Sequence, residues 1–253
     1  MLSRDGVLRE EARLLLHQEL PEPTAHYSIL RALAAGCVRV NEMVQRTGLD
    51  QRTVLRALES LISLFLVERA VPVTEPNPDR TRRTRYRIAD QYLAFWFRFV
   101  HPFQSRIETR ADAARHLRET VLPGLDQFVA STAFERAARS YVARAEPAAA
   151  AVGEWWGPAP TGLDRRTEER QVDVVAVDAE RRVTALGSCK WTKDPLDYAE
   201  HALLTRLEPH IPGVEGHPRH YFFSRAGFSP AIKRLAAADP DRCRLVTSAD
   251  LYA

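Results

Sequence analysis

The amino-acid sequence predicts an α+β protein in which a helical N-terminal domain precedes an α/β domain built on a central sheet. Three observations support this prediction. Apolar residues recur with helical spacing up to about residue 64, five arginines follow within residues 80–87, and short β-branched runs alternate with amphipathic segments farther on. Because 253 residues suffice for two modest domains, we expect them to occupy residues 1–100 and 101–253.

The composition indicates a soluble protein of the cytoplasm without a membrane segment. Hydrophobic residues make up 45% and charged residues 27% of the chain, as in ordinary globular proteins. No apolar run approaches the ~20 residues of a membrane helix, and charges interrupt the apolar residues of the N-terminus, unlike in a signal peptide. The three cysteines are far apart and fit neither a disulfide framework nor a zinc site.

Four helices are expected in the N-terminal domain. Thr24, Asn41 and Asp50 are polar residues suited to cap the second, third and fourth of them. In the fourth helix, Val54, Leu55 and Leu58 have the spacing of a face that packs on the core. The predicted helices cover residues 7–20, 25–35, 42–47 and 51–64.

The last two of these helices are joined by the short turn Thr-Gly-Leu-Asp, a connection typical of a helix-turn-helix. Residues 66–73 can form a strand and residues 80–88 a returning strand, with a Pro-rich turn between them. Helices followed by such a hairpin predict a winged helix-turn-helix.

Duplex DNA is the partner that this domain would bind. Affinity for duplex DNA comes largely from neutralising backbone phosphates, and residues 1–110 contain 17 arginines against 13 acidic residues. The alternative is a helical packing module with solvated arginines. The predicted DNA-binding residues are Gln51, Arg52, Thr53 and Arg56 on the last helix and Arg80, Arg82, Arg83 and Arg85 on the returning strand.

The C-terminal half alternates helices and strands. An aromatic helix over residues 90–100 should be mostly buried, and further helices are expected over 106–121 and 125–144. A β-hairpin over 171–191 is followed by a loop at 209–219 whose histidines fit no common zinc spacing. Around the hairpin we expect strands near 153–157, 220–224 and 244–247 and helices over 195–207 and 230–238.

The hairpin carries an acid in its first strand, Asp173, and a lysine at the end of its second, Lys190. Charges in half-buried strands are costly unless they are paired or used. Carboxylates that converge on Mg²⁺, with a lysine close by, are the chemistry of metal-dependent phosphodiester cleavage. Glu135 in the preceding helix is the candidate for a second metal ligand beside Asp173, although a helix-surface salt bridge would explain it equally well.

This pattern resembles the PD-(D/E)XK nuclease superfamily, whose core is a helix, a three-strand meander, a helix and a strand. Asp173 matches the first acid of the motif, Lys190 the lysine and Glu135 the helix acid. The chain departs from the motif at Ser188, where the family has Glu or Asp. The resemblance therefore implies a nuclease-like α/β domain with an impaired Mg²⁺ site.

Several phrases resemble a narrower family, the C-terminal half of prokaryotic AAA-type ATPases. These phrases are FWFRFVHPFQSRIE, GEWWG, VDVVAVD and GSCKW. The resemblance implies a winged helix, a nuclease-like domain of unknown function and an AAA-type ATPase as partner. The chain lacks the Gly-x-x-x-x-Gly-Lys-Ser/Thr stretch of an ATPase, so it is either a fragment or a stand-alone version. Phe65 stands where a glycine commonly ends the third helix of the winged domain.

Three functions follow as hypotheses. The first is a DNA-binding protein whose degenerate nuclease-fold domain serves nucleic-acid binding or self-association. The second is an active Mg²⁺-dependent DNA endonuclease that uses Asp173, Glu135 and Lys190. The third is an interaction module for an AAA-type ATPase.

Overall fold

The computed structural model describes Glu11, Leu14, Leu16, residues 23–160 and residues 167–252. The predicted helix over 7–20 and the loop residues 161 and 162 lie largely or wholly outside these residues. Two compact units are formed, the first by the described residues up to Ala70 with Arg83–Leu125, and the second by Val71–Arg82 with the residues from Asp126 onward. Within the described residues, no helix is both long and apolar enough to cross a bilayer.

The first unit begins with three short helices. Individual residues determine where the second of them ends and where the third begins. They are α1 (Pro23–Ala34), α2 (Val40–Thr47) and α3 (Gln51–Ser63). Gly48 ends α2 in the left-handed conformation, and the Asp50 carboxylate caps α3 by accepting the Thr53 backbone N–H.

Two details of these helices correct the sequence prediction. Helix α2 begins before Asn41, because the Glu42 carboxylate accepts the backbone N–H groups of Val38 and Arg39 and so replaces Asn41 as the capping group. Leu55, which we predicted on the face of α3 that packs on the core, is 36% exposed, and Ala57 is buried instead.

A two-stranded antiparallel sheet follows, made of β1 (Val67–Ala70) and β2 (Arg85–Ile88). Tyr86 in β2 donates its N–H to the carbonyl of Val38, so the hairpin joins the chain that leads into α2. The returning strand is shorter than predicted. Arg80, Arg82 and Arg83 precede it, because the ladder with β1 ends at the pair Ala70–Arg85, two residues before Pro72.

A run of helical segments completes the first unit and leads into the second. They are α4 (Gln91–Phe95), α5 (Arg110–His116), α6 (Leu122–Val129) and α7 (Glu135–Ala145), with wide π-type turns at 96–100, 117–121 and 130–134. Trp96, Phe97 and Phe99 are buried, as the aromatic pattern predicted. Helix α6 starts before Pro123 and follows the π-type turn at 117–121 directly, so Pro123 does not separate two helices as we expected.

The second unit contains a five-stranded mixed sheet. Its strands are β3 (Ala151–Pro160), β4 (Thr167–Val177), β5 (Val183–Lys190), β6 (Arg219–Ser224) and β7 (Cys243–Thr247), in that spatial order. Strands β3 to β5 pair antiparallel and β5 to β7 parallel, so β5 is the central strand with one neighbour of each kind. The predicted hairpin is thus the pair β4–β5.

Each face of the sheet has its own apolar core. Helix α7 packs on one face, where Ala138 and Val142 meet Val174 and Phe223. Helices α8 (Tyr198–Leu207) and α9 (Pro230–Ala238) cover the other, where Leu204 and Ile232 belong to the core. Helix α8 starts at Tyr198 rather than Pro195, and Ala199 in its first turn is exposed.

The segment 71–82 belongs to this second unit. The Val73 N–H donates to the Glu154 carbonyl over 2.9 Å, and the Val73 side chain packs against the core under β3 and β5. From the β4–β5 turn, the Arg181 guanidinium donates to the carbonyls of Val73 and Glu75. This segment is therefore tied to two places in the sheet.

Candidate functional site

The candidate site lies where β4 and β5 run side by side. Asp173 is one residue beyond the directly opposed pair Val174 and Gly187. Its carboxylate Oδ2 accepts the backbone N–H of Cys189 over 2.9 Å. A carboxylate therefore takes a ladder position on β4 and is held by the backbone of β5, which fixes its orientation.

Burial raises the pKa of the Asp173 carboxyl above its ordinary value of 3.8. The Cys189 N–H and the positive charges of Lys190 and Arg139 oppose this rise. Burial is the largest of these influences, and the groups around the carboxylate offset it only in part. A cation bound close to Asp173 would lower the pKa of this carboxyl further.

Glu200, in the first turn of α8, supplies an acid that the sequence analysis did not anticipate. Its Oε1 lies 2.9 Å from the ammonium Nζ of Lys190, and its Oε2 accepts the Ser188 hydroxyl over 2.9 Å. Ser188 and Lys190 alternate on β5 and so face the same side of the sheet. A carboxylate from α8 thus sits beside the position where the nuclease motif has its second acid.

Glu135 is joined to the site through an arginine of its own helix. The Arg139 nitrogen Nη1 lies 3.7 Å from Glu135 Oε2 and donates to the backbone carbonyl of Asp173 over 3.0 Å. One guanidinium therefore approaches both residues that we predicted as ligands of a common Mg²⁺. Both interpretations of Glu135 stay open: it is ion-paired on its helix and it is next to the strand that carries Asp173.

The donor set suits a hard divalent cation in chemistry, because carboxylate, hydroxyl and carbonyl oxygens are what Mg²⁺ prefers. In the described residues, no three His, Cys, Asp or Glu side chains are arranged around a common metal position. Both carboxylate oxygens of Glu200 already contact Ser188 and Lys190. To bind a metal, the Glu200 side chain would have to rotate one oxygen away from its present partner. Two carboxylates, those of Asp173 and Glu200, each contact the end of β5, through Cys189 and through Ser188 and Lys190 respectively.

The predicted DNA-binding residues of α3 fall on its outward face. Gln51, Arg52 and Arg56 are exposed. Thr53 differs, because its hydroxyl donates to Asp50 Oδ2 over 2.7 Å and completes the helix cap. This cap holds the pKa of the Asp50 carboxyl below its ordinary value. Helix α3 therefore presents two arginines and a glutamine to solvent at the end that follows the turn.

The remaining predicted arginines are divided between the two units. Arg83 and Arg85 are half-buried in the first unit and already have interaction partners. Arg80 and Arg82 are exposed in the second. Arg87, opposite Glu68 in the hairpin, is half-buried as well.

A second polar cluster lies away from the candidate site. His220, which the sequence placed at a strand start, is fully buried, and its Nε2 is 2.7 Å from Glu208 Oε1. Burial lowers the pKa of His220 to about 3, so the ring is neutral near pH 7. The cluster is therefore a hydrogen-bonded pair in the core, and His220 lies in a strand, β6, as predicted.

The missed residue Glu200 could have been found only by a long-range argument. Asp194 and Asp197 are the first acids after Lys190 in the sequence, but neither takes the place of the missing acid. Asp197 instead accepts a hydrogen bond from the Ser229 hydroxyl, and Asp194 is exposed. An acid in the first turn of the helix that follows the lysine is the signal that points to Glu200.

Comparisons with known proteins place part of the chain beside proteins of unknown function. Residues 96–202 match the model of the family DUF234, archaeal and bacterial proteins of unknown function. This interval contains Glu135, Asp173, Ser188, Lys190 and Glu200.

One relative is the uncharacterized protein MJECL04 of Methanocaldococcus jannaschii. It is 35% identical over 104 residues, which are 41% of this chain and 23% of that protein. The chain thus matches less than a quarter of that relative's length. Among solved structures, the crystal structure of protein VC1899 from Vibrio cholerae aligns with 96% of this chain and 50% of its own, at 14% identity and a TM-score of 0.32.

Proposed function

We propose that this protein binds duplex DNA through α3. The observation that carries the proposal is the outward face of this helix, where Arg52 and Arg56 are exposed directly after a four-residue turn. In a helix-turn-helix the second helix enters the major groove with its N-terminal residues on the base edges. We interpret α2 and α3 as that pair and β1–β2 as the wing.

The test is the salt dependence of binding to a labelled duplex, measured by fluorescence anisotropy. Each arginine that neutralises a phosphate adds about 0.9 to the slope of log affinity against log salt. Arg52→Gln and Arg56→Gln should each weaken binding to all sequences and lower that slope by about 1. Arg118→Gln, which removes the same charge from an exposed helical position, should leave the slope unchanged. Equal losses in all three variants would refute a role for α3.

A second candidate function is metal-dependent cleavage of DNA by the sheet domain. Glu200 favours it, because this acid is held beside Ser188 and Lys190 on the strand next to Asp173. When bound, Mg²⁺ would polarise a phosphodiester and make hydroxide available near neutral pH. Asp173 and Glu200 would hold the ion, Lys190 would stabilise charge on the phosphate, and Ser188 would keep Glu200 in place.

Incubation with plasmid and linear DNA in Mg²⁺, Mn²⁺ or EDTA tests this function. Metal-dependent cleavage should be lost in Asp173→Asn and in Glu200→Gln. If Glu135→Gln abolishes cleavage while Glu200→Gln does not, the second acid comes from α7. If no preparation cleaves, the nuclease-like domain lacks activity and the DNA-binding role stands alone.

An AAA-type ATPase as partner is a third proposal, supported by the resemblance of the aromatic phrases around residues 95–108 and 153–157 to that family. Co-expression of the chain with candidate ATPases and recovery of a stoichiometric complex by size-exclusion chromatography would test it. Elution of the chain with the same volume alone and in the mixture would count against it.

A further inference from the structure

A cavity of about 300 Å³ lies in the first unit, apart from the outward face of α3. Three arginines line it: Arg31 from the last turn of α1, Arg46 from the last turn of α2, and Arg98 from the turn after α4. None of the described lining residues is acidic. Three positive charges therefore meet around a space large enough for a small ligand.

Only one of these guanidiniums is used by the helix that it faces. Arg98 Nη1 donates to the carbonyl of Ala34 over 3.4 Å at the end of α1. An arginine close to the last turn of a helix interacts favourably with the helix C-terminus, and this interaction accounts for Arg98. In the described part of the chain, Arg31 and Arg46 are exposed and have neither a carboxylate nor a carbonyl partner. Two cations are thus left in excess of what the helix ends require.

The positive field is felt by a neighbouring group. His101 precedes the lining residue Pro102, and burial together with the charge of Arg31 lowers the pKa of His101 to about 4. Its Nδ1 is buried without a hydrogen-bond partner. Burial is the larger cause of this lowered pKa, and the positive charge of Arg31 acts in the same direction.

The cavity also has an apolar wall. Phe97 and Pro102 line it on the side of the helical run after α4, and Ala32 and Ala35 line it on the side of α1. The hydroxyls of Ser28 and Thr47 donate to backbone carbonyls of their own helices, so they offer no free proton to a ligand. Recognition would therefore rest on guanidinium donors together with carbon surface.

We propose that this cavity binds a small organic phosphate, with the phosphoryl group at Arg31, Arg46 and Arg98 and the carbon portion against Phe97 and Pro102. Guanidinium groups match phosphate oxygens with paired donors and stay charged at all relevant pH values. The shared chemistry is a phosphate ester, which can belong to a free metabolite or to a nucleic-acid backbone.

Isothermal titration with inorganic phosphate, adenosine 5′-monophosphate and adenosine tests the site. The nucleotide should bind saturably, at least tenfold tighter than inorganic phosphate, and adenosine should not bind. Arg31→Gln and Arg46→Gln should each weaken nucleotide binding at least tenfold. Arg118→Gln, an equal loss of charge outside the cavity, should bind as the wild type does.

A second readout comes from His101. Nuclear magnetic resonance titration should show its pKa rising when the nucleotide saturates the cavity, because phosphate charge offsets that of Arg31. This shift should vanish in Arg46→Gln. Because Arg46 is exposed at the end of a short helix, we expect the variant to fold, and circular dichroism checks that it does.

A 16-base-pair duplex separates the two phosphate sources. Displacement of the nucleotide by duplex in Arg52→Gln/Arg56→Gln would assign the cavity to a backbone phosphate, and independence would assign it to a free ester. The proposal is overturned if neither nucleotide nor duplex gives a signal that depends on Arg31 and Arg46. That outcome is distinct from a failure of α3 to bind DNA, which the anisotropy slope measures.

Discussion

Phe65 is 84% exposed and has a φ of 57°, in the left-handed region that favours glycine. Its N–H donates to the Ile62 carbonyl and the Leu66 N–H to the Leu61 carbonyl, both over 2.9 Å. These two bonds form a Schellman ending of α3. The expected glycine is replaced by phenylalanine, yet the backbone takes the same path.

Replacing Phe65 by glycine should therefore stabilise the protein. An L-residue in the left-handed region costs about 1 kcal/mol, and the exposed ring contributes little packing in return. We expect Phe65→Gly to raise the free energy of unfolding by about 1 kcal/mol in urea titrations followed by circular dichroism.

Ser63→Gly is the matched control, because Ser63 is the last residue of α3 and gains nothing from glycine's freedom. It should lower stability by about 0.5–1 kcal/mol. A Phe65→Gly protein no more stable than the wild type would show that the phenyl ring makes a stabilising contact.

His101 should make stability depend on pH. Its folded pKa of about 4 lies below the ordinary 6.5, so between these values the unfolded chain binds a proton that the native chain does not. Stability is therefore complete above pH 6.5 and is lost as pH falls toward 4, by less than ~1.4 kcal/mol per pH unit.

His101→Phe keeps the ring among Tyr27, Trp96 and Phe97 and removes this proton. Urea unfolding at pH 4.5, 5.5 and 7.5 should give a stability difference, variant minus wild type, that grows as pH falls. A difference that stays constant across these pH values would contradict the lowered pKa.

At the scale of elements, the central strand β5 has a position with no room for a side chain. A Cβ atom added at Gly187 would lie 2.9 Å from Val174 Cβ and 3.3 Å from the Tyr221 carbonyl oxygen. Gly187→Ala should therefore lower the free energy of unfolding by about 1–3 kcal/mol, the usual cost of overpacking. Denaturant titration of the full chain measures it.

Thr184→Ala, a change at a half-buried position of the same strand, serves as control. Within the part of the chain that the structure describes, the hydroxyl of Thr184 makes a single long hydrogen bond of 3.5 Å to the Ala176 carbonyl, so its loss should cost much less. If both variants lose equal stability, the close approach at Gly187 is not the cause.

The sequence predicted well those features that depend on contacts between residues close in sequence. Asp50, Gly48 and the β-branched runs of β4 and β5 determine cap, stop and hairpin through contacts within a few residues, and the structure has all three. The α+β class followed from the same patterns, whereas the order of the five strands and their mixed pairing did not. The winged-helix and nuclease-like assignments stay predictions.

The sequence-based predictions failed where residues distant in sequence determine the structure. The β1–β2 ladder ends at the pair Ala70–Arg85, so β2 begins only at Arg85 and residues 80–84 precede it. At the candidate site, Asp173 and Lys190 could be chosen because both are anomalous within their own strands. Glu200 could not, because its contacts with Ser188 and Lys190 depend on how α8 packs on the sheet.

For the whole molecule, the three thiols report on the fold. Cys37 is half-exposed, whereas burial raises the pKa of Cys243 to about 11. Burial, followed by the carboxylates of Asp173 and Glu135, raises the pKa of the Cys189 thiol well above its ordinary value. Because the thiolate is the reactive form, one fast and two slow thiols are expected.

Titration with a chromogenic disulfide at pH 8 should show one equivalent in the fast phase and three after unfolding in guanidinium chloride. Cys37→Ser should remove the fast phase. A fast phase that persists in Cys37→Ser would mean that Cys189 or Cys243 is ionised in the folded protein.

The contacts between segment 71–82 and the sheet impose an order on folding during synthesis. Val73 leaves the ribosome about 80 residues ahead of Gly153 and Glu154, which at about 5–20 residues per second is a wait of roughly 4–16 seconds. Arg181, which holds the carbonyls of Val73 and Glu75, emerges later still. Synthesis therefore presents this segment long before its docking surface exists, and the second unit cannot close until the hairpin β4–β5 has been made.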